Sequence, residues 1–145
     1  MTTRHELVDV PELAPAIGFA HAVVAAPGRQ VFLGGQTAQG LDGRIVGATM
    51  ATQFEVAASN VQLALRAAGG EAEDLVSLMI YVTDVPQYRR SLRAIAPIYR
   101  RYFGRHYPAI ALLGVAELFD EDAMIELVGT AVIPAKRQSA EESGS

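Results

Sequence analysis

The stretch from Thr49 to Gly70 constrains the fold more than any other part of the chain. Met50, Phe54, Ala57, Val61, Ala64, Leu65 and Ala68 recur every three or four residues, the spacing that lines one face of an α-helix. Thr49 is placed to cap the start of that helix, and Gly69-Gly70 to stop its end. Asp74 to Asp84 (DLVSLMIYVTD) then reads as a strand whose near-continuous apolar core predicts burial on both faces.

The flanking segments extend this pattern. Phe19 to Ala26 and Val31 to Ala38 read as strands joined by a turn at Pro27-Gly28-Arg29-Gln30, with a short strand around Glu6 to Val10 before them. Gln87 to Phe103 reads as a second helix with Ile95, Ile98, Tyr99, Tyr102 and Phe103 on its apolar side. Pro97 lies inside it, so the helix either kinks there or restarts with Pro97 at its first position. Ala109 to Ala116 and Met124 to Ile133 close the series as strands, joined by an acidic loop from Glu117 to Asp122. The order ββ-α-β-α-ββ predicts an α+β domain: a mixed sheet with two helices on one face. Its 145 residues suit one domain, with a core over about 17–134 and a polar tail over 135–145.

Composition narrows the chemistry. Half of the residues are hydrophobic and 19% are charged, which favours a packed core over disorder. There is no cysteine, so disulfides, thiolate nucleophiles and zinc–sulfur sites are excluded. No apolar run approaches the ~20 residues that span a bilayer, and the N-terminus lacks an apolar leader, which predicts a cytoplasmic protein. The net charge of -4 opposes non-specific nucleic-acid binding. Arg89, Arg90, Arg93, Arg100, Arg101 and Arg105 crowd together. On one continuous helix Arg89, Arg93 and Arg100 share a face, read as solvated rather than as a polyanion site.

Candidate functional side chains are few. No two of His5, His21 and His106 have metal-ligand spacing, and Asp120, Glu121 and Asp122 are adjacent carboxylates that cannot converge on one ion. No metal or organic cofactor is expected. His5 reads as terminal and exposed, His106 as a loop residue, and His21 as either a partnered histidine or a cleft group. Gly34-Gly35 interrupts a strand, as a bulge or as a place where a ligand approaches the backbone. Glu126 sits inside an apolar strand, either on an exposed face or held for a purpose. No serine lies in a nucleophile elbow.

Several ordered stretches together resemble the RidA/YjgF family of reactive intermediate deaminases. They are Val31-Phe32-Leu33-Gly34-Gly35-Gln36, the helix with Asn60-Val61 that ends Ala67-Ala68-Gly69, the strand from Asp74-Leu75-Val76 to Tyr81-Val82-Thr83-Asp84, Tyr107-Pro108-Ala109 and Thr130-Ala131-Val132-Ile133-Pro134. The resemblance implies a chorismate-mutase-like fold and a homotrimer with ligand clefts between subunits. It also implies cofactor-free hydrolysis of enamines and imines to ketones and ammonia. Where such proteins have a carboxylate-gripping arginine after Pro-Ala, this chain has Ile110, followed by Ala111-Leu112. Phe19 stands at a tyrosine position, and anchoring on Ala131 to Pro134 puts Val128 at the water-linked glutamate and Glu126 at the glutamate before it. Gly35 is retained.

These replacements predict a cleft lined by Phe19, Gly35, Ile110, Leu112 and Val128, with Glu126 and His21 as acid–base candidates. Loss of a bidentate charge pair disfavours a small imine carboxylate and points to a larger or more neutral imine, enamine or carbonyl compound. The alternatives are a non-catalytic ligand-binding or regulatory trimer and, less favoured, an endoribonuclease.

Overall fold

The computed structural model describes residues 2–136. The polar tail expected over 135–145 therefore lies almost entirely outside the described residues. Among the described residues six strands and three α-helices form in the order β1 (Glu6–Val8), β2 (Ala22–Val24), β3 (Gly28–Phe32), α1 (Met50–Ala67), β4 (Leu75–Val82), α2 (Val85–Arg90), α3 (Leu92–Phe103), β5 (Ala109–Gly114) and β6 (Ile125–Pro134). A four-stranded sheet runs β3-β6-β4-β5, in which β4 and β5 are parallel and the other pairs antiparallel. β1 and β2 form a separate antiparallel ribbon. This is an α+β fold of the chorismate-mutase-like kind.

α1 forms as its sequence dictates. The Thr49 side chain accepts a hydrogen bond from the Thr52 N–H at 3.1 Å, capping the first turn. At the other end Gly69 adopts φ +92°, a conformation that costs a glycine little, and the Gly70 N–H reaches back to the Leu65 carbonyl at 2.9 Å. The helix buries Met50, Phe54, Ala57, Val61 and Leu65 against Leu75, Leu78, Ile80 and Val82 of β4, Ile125, Leu127 and Ala131 of β6, and Ile95, Tyr99 and Phe103 of α3. Each of the larger side chains contributes roughly 1.5–3 kcal/mol by leaving water.

Three local expectations fail for identifiable reasons. The Pro27-to-Gln30 turn is instead mostly strand: Gly28 to Phe32 pair with Pro134 to Thr130. A Cβ on Gly28 would lie 2.0 Å from the Ile133 carbonyl oxygen, so the glycine permits this close approach. The expected strand from Phe19 shrinks to Ala22–Val24 and pairs with β1, because the segment before it is held as a loop by its own side-chain hydrogen bonds. The second helix divides at Ser91 rather than at Pro97. α3 runs on through Pro97, whose missing N–H would have reached the Arg93 carbonyl in the first turn of the helix. Arg89 thus lies on a different helix from Arg93 and Arg100.

β4 also departs from expectation. Leu75, Leu78, Ile80 and Val82 are buried under the helices, whereas Ser77, Met79 and Tyr81 on its other face are only half-covered. Both faces are apolar, but the described chain covers only one of them.

Candidate functional site

Strand register sorts the side chains onto the two faces. Across the uncovered face run three rows: Glu126, Tyr81 and Leu113; Val128, Met79 and Ala111; and Thr130, Ser77 and Ala109. Phe32, 75% exposed, extends the last row through its pairing with Thr130. Ile110 and Leu112 pair with Leu78 and Ile80 and therefore face the helices, where they pack against the core. Gly114 confirms that parity, since a Cβ on it would meet Val85 of α2 at 2.8 Å. Ile110 and Leu112 are thus on the opposite face from Glu126 and Val128, although β5 is an edge strand and its flank is open.

Gly34-Gly35 forms a bulge. After Phe32 the chain makes one hydrogen bond from the Leu33 N–H to Gly129, steps out through the two glycines and rejoins β6 at Gln36. The Gln36 N–H donates to the Leu127 carbonyl, and the Leu127 N–H to the Gln36 carbonyl, both at 2.8 Å. The detour lays the Gly35 backbone against the Glu126 side chain: a Cβ on Gly35 would sit 2.9 Å from the Glu126 carboxyl carbon. Asn60 of α1 fixes the segment that follows, donating from Nδ2 to the Thr37 and Gln39 carbonyls at 3.0 and 2.9 Å. In the sequence Asn60 enters only as part of a helix that resembles the family, because a polar residue on an amphipathic helix carries no sign of what it reaches.

Phe19 and His21 lie at the other end of the sheet. The Ala20 N–H donates to the Pro108 carbonyl at 3.0 Å, docking this segment beside the start of β5. With Leu7, Leu13, Arg105 and Tyr107 they line a cavity of about 440 Å³. Glu126 pairs with Tyr81, whereas Ala109 pairs with Ser77. The two ends are therefore separated by four residues of strand, about 13 Å.

The histidines are engaged by backbone. His21 Nδ1 accepts from the Val10 N–H at 3.0 Å, and its Nε2–H donates to the Ala14 carbonyl at 2.9 Å, which defines a neutral ring. Asp9 lies 3.3 Å from the same Nδ1, but a nitrogen already accepting a proton cannot also offer one, so this is no ion pair. His5 is only 5% exposed, which corrects the expectation of an exposed terminal residue. Its Nδ1 accepts from the Ala26 N–H, and its Nε2 lies 3.1 Å from the Asp74 carbonyl and 2.9 Å from that of Val132. Partners about 70 and 130 residues away in sequence hold it in place, and such pairs leave no local signal.

His106 is buried, with Nε2 donating to the Leu75 carbonyl at 2.7 Å. Burial lowers its pKa below the ordinary histidine value, outweighing the opposing pull of that carbonyl. A histidine kept neutral in the fold takes up its proton more readily when unfolded. Stability therefore falls as pH drops below about 6.5 and levels off once pH passes the lowered value. Melting temperatures measured from pH 7.5 to 5 should decline, and His106→Asn should shrink that decline. An unchanged pH profile in the variant would assign the decline to other groups.

No group of three or more histidine and acidic side chains that could hold a metal occurs among the described residues, and none of the described helices is long and apolar enough to cross a membrane. The mixed sheet, its helix layer and the glycine bulge beside a strand glutamate define the class. The chain belongs to the Endoribonuclease L-PSP family, that of the YjgF/RidA proteins, whose model matches residues 11–133. It is similar to YyfB of Yersinia pestis, a protein of unknown function of the conserved Rid family. The two are 30% identical over 90% of this chain and all of that one, with a TM-score of 0.80. A member of the YjgF/YER057c/UK114 family from Mycobacterium tuberculosis is 26% identical over 81% of this chain and 88% of its own, with a TM-score of 0.60. Protein HMF1 of Saccharomyces cerevisiae is 25% identical over 74% of this chain and 80% of its own length.

Proposed function

We propose that this protein binds and hydrolyses a neutral imine or enamine, larger than a 2-aminoacrylate-type substrate, in clefts between the subunits of a homotrimer. The observation that carries the reading is the Glu126 carboxylate. It lies against the Gly35 backbone on a largely apolar, uncovered sheet face, with no hydrogen-bond or ion-pair partner among the described residues. An unpaired carboxylate in such a setting is a general-base candidate. Phe19 and His21 lie toward the opposite end of the sheet and Ile110 faces the helices, so in this reading the cleft that joins them to Glu126 is built by two copies of the chain. The apolar face supplies the surface those copies would bury. His21, whose ring nitrogens are both occupied, would shape the Phe19 wall rather than move a proton. Ile110 offers no charge to a substrate carboxylate, and Val128 adds apolar surface, whereas Leu112 packs toward the helices.

The chemistry needs no co-reactant beyond water. Water oxygen bonds to the imine carbon, the C=N π pair moves to nitrogen, and Glu126 takes the proton that water releases. Glu126 hands that proton to the nitrogen, giving a neutral carbinolamine, then takes the hydroxyl proton and passes it to the nitrogen as the C–N bond breaks, expelling ammonia and leaving a ketone. The test is ammonia release from benzophenone imine beside 2-aminoacrylate generated in place. Acceleration of the first and not the second is expected. The reverse would overturn the reading, and binding of the aryl imine without turnover would leave a non-catalytic ligand-binding trimer.

A further inference from the structure

Tyr81 stands directly opposite Glu126 across the antiparallel ladder of β4 and β6. Paired positions of that kind hold their Cβ atoms about 4.5–5.5 Å apart on the same face. The hydroxyl of Tyr81, like the carboxylate of Glu126, has no hydrogen-bond partner among the described residues, and the residue is half-buried. Around the pair are Leu113 on the far side of Tyr81 and Met79 and Val128 in the next row. The pair thus sets one donor beside one acceptor, with the hydroxyls of Ser77 and Thr130 two rows away, and the three rows contain no lysine or arginine. Covering the face with a second copy would strip water from both groups. A desolvated phenol and carboxylate without partners are costly, so an occupant that satisfies both is favoured.

We propose that the Tyr81 hydroxyl is the hydrogen-bond donor of this site, and that the pair selects ligands whose reacting group is a neutral C=N or C=O. The inference rests on the function proposed above and names the recognition chemistry of the same site. A phenol O–H donates to an imine nitrogen or a carbonyl oxygen. Glu126, which only accepts, takes a hydrogen bond from the attacking water. A ligand that presents a carboxylate there meets Glu126 with no cation between them and is repelled. In the addition step the Tyr81 hydrogen bond shortens as the π pair moves onto nitrogen, which stabilises the charge that develops there. The proton shed by water passes through Glu126 to the nitrogen, so Tyr81 keeps its own.

Acetophenone is a suitable probe, because its carbonyl stretch reports the hydrogen bond directly. Bound to the wild-type protein, the stretch should move to lower wavenumber. In Tyr81→Phe, which keeps the ring and removes only the hydroxyl, the stretch should return to its position in apolar solvent. Affinity should weaken by roughly 2- to 10-fold. Glu126→Gln should retain the shift. A bound carbonyl whose stretch is the same in wild type and Tyr81→Phe overturns the role of Tyr81 and leaves the proposed function standing. Failure of the wild-type protein to bind acetophenone or benzophenone imine overturns the ligand class itself, and Tyr81's role with it.

Discussion

Replacing Glu126 with glutamine should lower kcat for hydrolysis of benzophenone imine by about 10²- to 10⁴-fold, the usual contribution of a positioned general base. The amide keeps the volume and shape of the side chain but cannot take a proton from water. The fold should tolerate the change, because Glu126 has no ion pair or hydrogen bond among the described residues to lose. Stability should stay within about 0.5 kcal/mol. The same site can be probed without touching the carboxylate. In Gly35→Ala the new methyl would lie 2.9 Å from the Glu126 carboxyl carbon. The side chain is flexible and can swing aside, so the variant should fold and yet lose activity because its base is displaced. Measured kcat and melting temperature separate the outcomes. Full activity in Glu126→Gln removes Glu126 as the base, and full activity in Gly35→Ala shows that its position is not critical.

What was legible in the sequence follows from the range of the interactions involved. α1 could be read because its information is local: apolar spacing, a capping threonine and a left-handed glycine all fall within 22 residues. The ordered motifs that resemble RidA/YjgF proteins were legible for a related reason, since each is a short run, and the family match confirms the assignment. Interactions that depend on strand pairing were not legible. Ile110 and Glu126 both lie in apolar strands, and nothing in either run says which face a given residue takes. A shift of one residue in register exchanges the two faces. Only the pairing of Ile110 with Leu78 and of Glu126 with Tyr81 sends one toward the helices and the other toward the open face. The same long-range pairing hid Tyr81, which reads as one more apolar residue of a buried strand. His5 was misjudged because its position near the chain start suggested exposure, whereas its three backbone partners come from residues 26, 74 and 132. Pro97 shows a subtler limit: a kink or restart is expected there, whereas the helices divide at Ser91 and α3 runs on through Pro97.

Val128→Arg should convert the proposed trimer to monomers, shifting the sedimenting mass from that of three chains to that of one, 15.5 kDa. Val128 sits in the middle row of the uncovered face, paired with Met79 and flanked by the rows that hold Tyr81 and Thr130. Phe32, Met79, Val128 and Leu113 together form an apolar surface of the kind that soluble chains usually bury against a partner. An arginine at its centre would have to be desolvated, and no acidic residue other than Glu126 lies on the three rows to pair with it. The cost of several kcal/mol falls on each copy of the interface. The monomer should keep its fold, because Val128 faces away from the core that α1, α3, β4 and β6 share, and circular dichroism should be unchanged. Activity toward benzophenone imine should disappear along with the assembly even though Glu126, Gly35 and Tyr81 are intact. Phe19 and Glu126 lie at opposite ends of one sheet, and in the proposed cleft they meet across two subunits. A folded monomeric variant with undiminished turnover would place the whole site within one chain and remove the need for the inter-subunit cleft.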